Sequence, residues 1–161
     1  MPAAWVDRDD RVAGNCPAGP VTDAEPAAKL LDSLTFKNGR IQDAAFQSDY
    51  LFPPADRPIR NTPGERDGES LIRCANLTDA TLLILSQDQV HGTRTAEGYA
   101  VAKVEDIRKL TSQHDGSVRL FRVYEDPNDG LPEHAVIRFD PDCKSQWRIA
   151  RRNLIDLFEK N

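Results

Sequence analysis

The last third of the chain, residues 98–161, constrains the fold most, because strand and helix patterns follow one another there with short connections. Tyr99–Val104 is a run of small and apolar residues, which predicts a strand buried on both faces. Val118–Tyr124 and His134–Phe139 have strand composition and flank the turn sequence Pro127–Gly130, so we expect an antiparallel hairpin. A final amphipathic helix follows, capped by Asp142 or Ser145. Its inner stripe is Trp147, Ala150, Leu154 and Phe158.

The upstream patterns are shorter. Pro26 opens a helical pattern through Leu34, with proline in the tolerated first turn. Asn38–Gly39 is a turn signal, and Ile41, Ala44, Ala45 and Phe46 fit one or two helical turns that bring Phe46 into the core. Ser70–Cys74 predicts a strand. Thr81–Leu85 is apolar all round, and we favour a helix there because Asn76 and Asp79 supply a cap and a first-turn acid. The fold class predicted is α+β, a small, mainly antiparallel sheet flanked by short helices.

At 161 residues the expected organisation is a single α+β domain over residues 26–161. Residues 1–25 are rich in Pro, Ala, Gly and Asp, which predicts a flexible acidic arm because little apolar surface can be buried there. Residues 53–68 carry four prolines and two glycines, so we expect a long surface loop.

Composition excludes several classes of protein. A net charge of −5 argues against coating nucleic acid by bulk electrostatics, which requires a basic surface. Cys16, Cys74 and Cys143 lie far apart without a C-x-x-C pair, so we expect neither a disulfide framework nor a structural zinc site. No run approaches the ~20 apolar residues that span a bilayer, and no signal peptide is evident. We expect a cytoplasmic protein without a membrane segment, metal or other cofactor.

Four short pieces of this sequence carry a resemblance to known proteins: Asn38–Ile41 with Ala44–Phe46, Leu71 through Leu77–Asp79, Gly98–Ala102 with Glu105–Arg108, and Glu133–Ile137. With these pieces, the order of elements from Leu30 onwards resembles that of a family of small bacterial proteins with no established activity. The resemblance implies an α+β fold and no particular chemistry.

His134 is the strongest candidate for chemistry. Next to Glu133 it could be a general base held by a carboxylate. The alternative is a structural histidine that hydrogen-bonds backbone at the strand end and fixes the preceding turn. A second stretch, His91–Arg94, is similar in its first three letters to a motif of ADP-ribosyltransferases, but a solvated loop is favoured. A metal site from His91, His134 and Cys143 has no support from spacing.

The start of the final helix is basic in an acidic protein. Arg148 and Arg152 are i,i+4 neighbours and share a helical face, so together they could grip a phosphate or carboxylate group. The alternative is a solvated face whose charges pair with nearby aspartates for little energy. The candidate binding residues are Lys144, Arg148, Arg151 and Arg152.

The function predicted is a non-enzymatic accessory or immunity-like protein that binds a partner protein. Two alternatives stay open. One is a small nucleotide- or RNA-directed hydrolase or transferase that uses His134 with the C-terminal arginines as phosphate clamps. The other is a nucleic-acid-binding module, which is not favoured.

Overall fold

The computed structural model describes residues 19–47, 68–127 and 130–161. Within these ranges the strands and helices are β1 (Pro26–Asp32), β2 (Phe36–Lys37), β3 (Arg40–Ile41), β4 (Glu69–Arg73), α1 (Asp79–Asp88), β5 (Ala96–Lys103), α2 (Val104–Arg108), β6 (Phe121–Glu125), β7 (His134–Phe139), α3 (Trp147–Asp156) and β8 (Glu159–Lys160). Short 3-10 helices occupy Asp43–Ala45 and Pro141–Gln146.

Six of these strands form one sheet in the order β6-β7-β4-β1-β5-β8, and every neighbouring pair is antiparallel. Strands β2 and β3 form a separate hairpin. With three short helices around the sheet, the predicted α+β class is confirmed. The predicted antiparallel pairing of β6 with β7 is also confirmed, in a register that places Val123 opposite Ile137.

Alternation along each strand divides the core into two clusters, one on each side of the sheet. On the side that we call the α3 face, strand residues pack against Ala150 and Leu154 of α3 and against Phe46. The opposite side, the α1 face, packs against Leu82 of α1. Residues of the α3 face include Ala27, Leu31, Leu71, Ala135 and Ile137; those of the α1 face include Ala28, Ile72 and Tyr99.

The helix predicted from Pro26 is wrong, because Pro26–Asp32 is the strand β1, paired with both β4 and β5. Apolar and small residues on consecutive positions suit a strand covered on both faces as well as a short helix, and their pattern alone cannot separate the two. Lys29, which a helix would have exposed, is buried and bonds Glu69 of β4, with 3.1 Å between Nζ and Oε1.

Both predicted helix caps are displaced. Thr78, and not Asn76, caps α1 by accepting a hydrogen bond at 3.1 Å from the amide of Thr81. The helix itself covers the ambiguous apolar run, as expected. Before α3, Asp140 caps the 3-10 helix by accepting from the Asp142 amide, so neither Asp142 nor Ser145 has the predicted capping role.

Three local predictions are confirmed. Asn38 and Gly39 both have positive φ, 54° and 74°, which suits a tight turn between β2 and β3. The 3-10 helix at Asp43–Ala45 leads into Phe46, which is fully buried and stacks edge-on with Phe158 at 5.5 Å between ring centroids. Ile41, which was expected in the same helical turns, belongs to β3. In the C-terminal helix, Ala150 and Leu154 are buried in the stripe expected.

Residues 19–25, the end of the predicted arm, lie against the sheet. Arg73 of β4 makes an ion pair with Glu25 at 2.6 Å and donates to the carbonyl oxygens of Gly19 and Pro20. Arg108 of α2 pairs with Asp23 at 2.6 Å and donates to the carbonyl oxygen of Val21. These two arginines therefore fix the backbone that leads into β1. Residues 1–18 and the loop predicted at 53–68, apart from Gly68, lie outside the described residues.

Two cysteines are buried on opposite sides of the sheet. Cys74 belongs to the α1-face cluster and Cys143 to the α3-face cluster. Burial raises the pKa of the Cys74 thiol to about 11. The pKa of Cys143 is raised too, by burial and then by the charges of Asp140 and Asp142. Cys16 lies outside the described residues.

Candidate functional site

The outward face of α3 carries the basic residues singled out from the sequence. Arg148 and Arg152 are exposed one helical turn apart, as expected. Ile149, also exposed, lies between them in sequence, with 52% of its surface accessible. The face therefore combines two cations with an apolar side chain.

The other two candidate binding residues differ from this pair. Arg151 is directed toward the protein: it pairs with Asp43 at 3.1 Å between Nη2 and Oδ2, and its guanidinium lies 5.1 Å from the centre of the Trp147 ring. Lys144 is exposed in the preceding 3-10 helix. Of the four, Arg148 and Arg152 are the two that share an exposed face of α3.

A groove of about 840 Å³ separates the β2–β3 hairpin from α3 and the chain end. Cations outnumber carboxylates along it, three to two, and Asp43 is already paired with Arg151. Apolar side chains form the rest of its wall. The charged lining residues are Arg40, Arg152, Lys160, Asp43 and Asp156, and the apolar ones are Phe36, Ile41, Ile155 and Phe158.

Local sequence explains why the groove forms. The Asn38–Gly39 turn pairs Phe36 with Ile41, and both side chains pack on the edge of the α3-face cluster. Arg40 is left exposed at the hairpin end. On the other wall, helical spacing buries Leu154 and thereby turns Arg152 outward. Lys160 reaches over Phe36, with 5.4 Å between Nζ and the ring centre.

His134 lies on the α1 face, at the start of β7, and is 9% exposed. Its Nδ1 lies 2.8 Å from the backbone oxygen of Asp126 and 3.2 Å from Oδ2 of the same residue. Its Nε2 lies 3.0 Å from Oγ of Ser70 on β4. The structure thus gives His134 the backbone contact expected for a structural histidine, together with a carboxylate and a hydroxyl.

The carboxylate beside His134 is that of Asp126, whereas the sequence suggested Glu133. The backbone oxygen of Glu133 accepts from the Arg73 amide at 2.8 Å. Since Ala135 faces α3, His134 points to the opposite side of the sheet from the C-terminal arginines. The sheet therefore separates His134 from Arg148 and Arg152, and an enzyme that uses all three in one site does not fit this arrangement.

The other candidate residues from the sequence, those of the His91–Arg94 stretch and of the metal site, do not form a common site either. His91–Arg94 forms an exposed connection between α1 and β5, from which Arg94 reaches Asp32 at 3.5 Å. Tyr99, a tyrosine that the ADP-ribosyltransferase comparison would need, donates its hydroxyl to Asp79, and that hydrogen bond raises the Tyr99 pKa. Among the described residues, no group of three or more His, Cys, Asp and Glu side chains is placed to hold a metal ion.

Sequence reasoning missed Ser70, Asp126 and the hairpin cation Arg40. Ser70 and His134 are separated by 64 positions and meet only through the register of β4 against β7. Asp126 directly precedes the turn sequence that was recognised, so its position near the start of β7 was a usable signal. Arg40, beside the predicted Asn38–Gly39 turn, was similarly visible as a charge at a hairpin end.

No protein-family model matches the chain, and no match to it was found among curated proteins or solved structures. The family resemblance drawn from short motifs stays a prediction. Within the described ranges, none of the helices has the length and apolar character needed to cross a membrane.

Proposed function

We propose that this protein is an accessory protein that binds an acidic segment of a partner protein through α3 and the adjoining groove. The observation that carries the proposal is the pairing of cations with apolar surface. Arg148 and Arg152 lie one turn apart beside the exposed Ile149, and Arg152 also lines the groove with Arg40 and Lys160.

Charge complementarity favours an acidic occupant. The chain as a whole carries −5, yet the cations on this surface outnumber its carboxylates. Arginine binds carboxylates through two parallel hydrogen bonds, which fixes orientation as well as adding affinity. The apolar wall of Phe36, Ile41 and Ile155 gives such a segment surface to bury, so an acidic peptide with interspersed apolar residues matches the groove better than a bare polyanion.

A peptide-binding measurement tests the proposal directly. A fluorescein-labelled peptide of alternating glutamate and leucine residues is titrated with the protein and followed by fluorescence anisotropy. We expect Arg148→Glu with Arg152→Glu to weaken binding at least tenfold. The matched control is Lys103→Glu with Lys109→Glu, at exposed lysines that end β5 and follow α2; it changes the net charge equally and should leave affinity within about twofold. Equal losses in both doubles would show that only net charge matters and would overturn the proposal.

A nucleic acid is the competing occupant, and the same assay separates the two. A labelled single-stranded RNA of equal length is compared with the peptide across a salt series. Tighter binding of the RNA, with a steep salt dependence, would replace the peptide proposal by the nucleic-acid module. A pull-down from lysate, with and without nuclease, then identifies the natural partner, which must be captured by the wild type and not by the Arg148→Glu/Arg152→Glu double variant.

A further inference from the structure

Ser70, His134 and Asp126 lie together on the α1 face, with the imidazole between the hydroxyl and the carboxylate. Oγ of Ser70 lies 3.0 Å from Nε2 of His134, and Nδ1 of His134 lies 3.2 Å from the Asp126 carboxylate. The three side chains come from β4, from β7 and from the end of β6, so the sheet holds them at fixed separations. A hydroxyl, an imidazole and a carboxylate in this order are the parts of an activated serine nucleophile.

The hydrogen bonds assign the tautomer of the imidazole. The backbone oxygen of Asp126, 2.8 Å from Nδ1, can only accept, so neutral His134 carries its proton on Nδ1. Nε2 then presents its lone pair to Ser70, whose hydroxyl donates. This is the protonation state in which the imidazole can remove the serine proton. Ser70 is also the most accessible of the three residues, since His134 and Asp126 are buried and Ser70 is partly exposed.

From this geometry we propose that Ser70, His134 and Asp126 form an acyl-transfer site that takes a small carboxylic ester. Ser70 Oγ attacks the acyl carbon and its proton passes to His134 Nε2. The bond from the acyl carbon to the alkoxy oxygen breaks, and the leaving alcohol takes that proton. Water then attacks the acyl-serine with the same base, which releases the carboxylic acid and restores Ser70. Asp126 stabilises the imidazolium formed in each half of the reaction.

This activity goes beyond the proposed partner binding and is independent of it. The two sites use opposite faces of the sheet, so the acyl-transfer site involves no residue of α3 or of the groove. A structural role for the same three residues makes a different prediction, because hydrogen bonds that only hold β4 to β7 confer no reactivity on Ser70.

Covalent labelling tests the inference on the intact wild-type protein. The chain is treated with a fluorophosphonate probe and analysed by intact mass spectrometry and peptide mapping. We expect a single adduct on Ser70 and accompanying hydrolysis of p-nitrophenyl acetate above the rate in buffer. An adduct on another serine, or none after prolonged treatment, would overturn the proposal. Because mapping locates the adduct on the unmodified sequence, this result does not depend on any variant folding.

Variants then separate reactivity from structure. Ser117→Ala is the matched control, since the Ser117 hydroxyl donates to the carboxylate of Asp115 at 2.6 Å and has no histidine partner among the described residues. It should label at the wild-type rate. We expect His134→Gln to slow labelling at least about 100-fold, the size typical of a lost general base. Asp126→Asn should have a smaller effect, because the backbone oxygen still holds the Nδ1 tautomer. Labelling of folded His134→Gln at the wild-type rate, judged by circular dichroism, would overturn the proposal.

Discussion

Two pairs of arginines show how one residue type can serve the fold or remain available to another molecule. The side chains of Arg73 and Arg108 are 8% and 10% exposed, and each bonds both a carboxylate and backbone oxygens of residues 19–25. Arg148 and Arg152 are exposed, and neither side chain forms an ion pair or hydrogen bond with another described residue. Arg151 is intermediate, with an exposed aspartate and an indole ring as its contacts.

The difference follows from what surrounds each guanidinium. A buried guanidinium is stable only when its donors are satisfied, so removing it leaves carboxylate and carbonyl oxygens without a partner. An exposed guanidinium exchanges its bonds with water, and its loss costs the fold little. The series Arg73, Arg108, Arg151 and Arg148/Arg152 should therefore show a graded loss of stability on substitution.

The largest effect is expected at Arg73. Arg73→Ala should lower the free energy of unfolding by about 3–5 kcal/mol, because the largely buried carboxylate of Glu25 loses its ion pair and keeps only the hydrogen bonds from Thr22. Urea denaturation followed by circular dichroism measures the change. Arg73→Lys should recover only part of it, since an ammonium group cannot bond Glu25 and two carbonyl oxygens with the same fork geometry. A loss below ~1 kcal/mol for Arg73→Ala would show that this arginine does not hold residues 19–25.

At Arg108 we expect a smaller loss. Arg108→Ala should lower the free energy of unfolding by about 2 kcal/mol, because two backbone oxygens lose a charged donor while Asp23 remains in water. Equilibrium unfolding of Arg108→Ala and of Asp23→Asn separates the contribution of the hydrogen bonds to backbone oxygens from that of the ion pair. Asp23→Asn alone should cost much less, and an equal cost would assign the effect to the ion pair.

Acid should weaken the same region. Burial raises the pKa of Glu25, but hydrogen bonds from Arg73 and Thr22 outweigh it and hold the pKa below the ordinary value of 4.5. The hydrogen bond from Arg108 likewise lowers the pKa of Asp23 below 3.8. For a lowered pKa, the stabilisation is present above the unfolded-state value and is lost as pH falls through the folded-state value. Stability should thus fall below pH 4.5, with a shallower fall in Glu25→Gln.

Arg151→Ala should cost no more than about 1 kcal/mol, because Asp43 is exposed and the contact with Trp147 is a single cation–π interaction. Thermal unfolding in low and high salt measures it. The loss should shrink in 1 M salt only by the part that comes from the ion pair, and Asp43→Asn reports that part separately. A loss of stability comparable with that of Arg73→Ala would show that Arg151 supports the fold as much as the buried arginines do.

The smallest effect on folding is expected for Arg148→Glu with Arg152→Glu, within about 0.5 kcal/mol of wild type. This double variant is informative because the same two changes should weaken peptide binding strongly while leaving stability unchanged. Parallel urea titrations and anisotropy measurements provide the pair of numbers. A destabilisation above 2 kcal/mol would mean that these side chains support the fold and that any binding loss is indirect.

Much of the fold was predictable where local signals agreed. The turn at Asn38–Gly39, the burial of Phe46, the pairing of β6 with β7 and the inner stripe of α3 all followed from short-range chemistry. β1 was not predictable in the same way. Its identity depends on β4 and β5 covering its two edges, and that information lies 40 or more positions away in the chain.

The candidate sites follow the same rule. The basic face of α3 was visible because helical spacing alone puts Arg148 and Arg152 together. The bond between Ser70 and His134 was not, because it depends on strand register. The contact of Arg73 with Glu25 spans 48 positions for the same reason. Local periodicity therefore revealed a surface, whereas the buried constellations required the assembled sheet.

One cysteine is buried on each face of the sheet, so the modification of each thiol can report local unfolding of that face. A thiol reacts as the thiolate and must be accessible to the reagent. Cys74 and Cys143 should therefore not react with a maleimide while the side of the sheet that buries each of them stays folded. In a chain with Cys16→Ser, the rate of modification at each position reports how often one side of the sheet exposes its interior. The modification rates of Cys74 and Cys143 would then distinguish local unfolding of α1 from local unfolding of α3 in the same native sample.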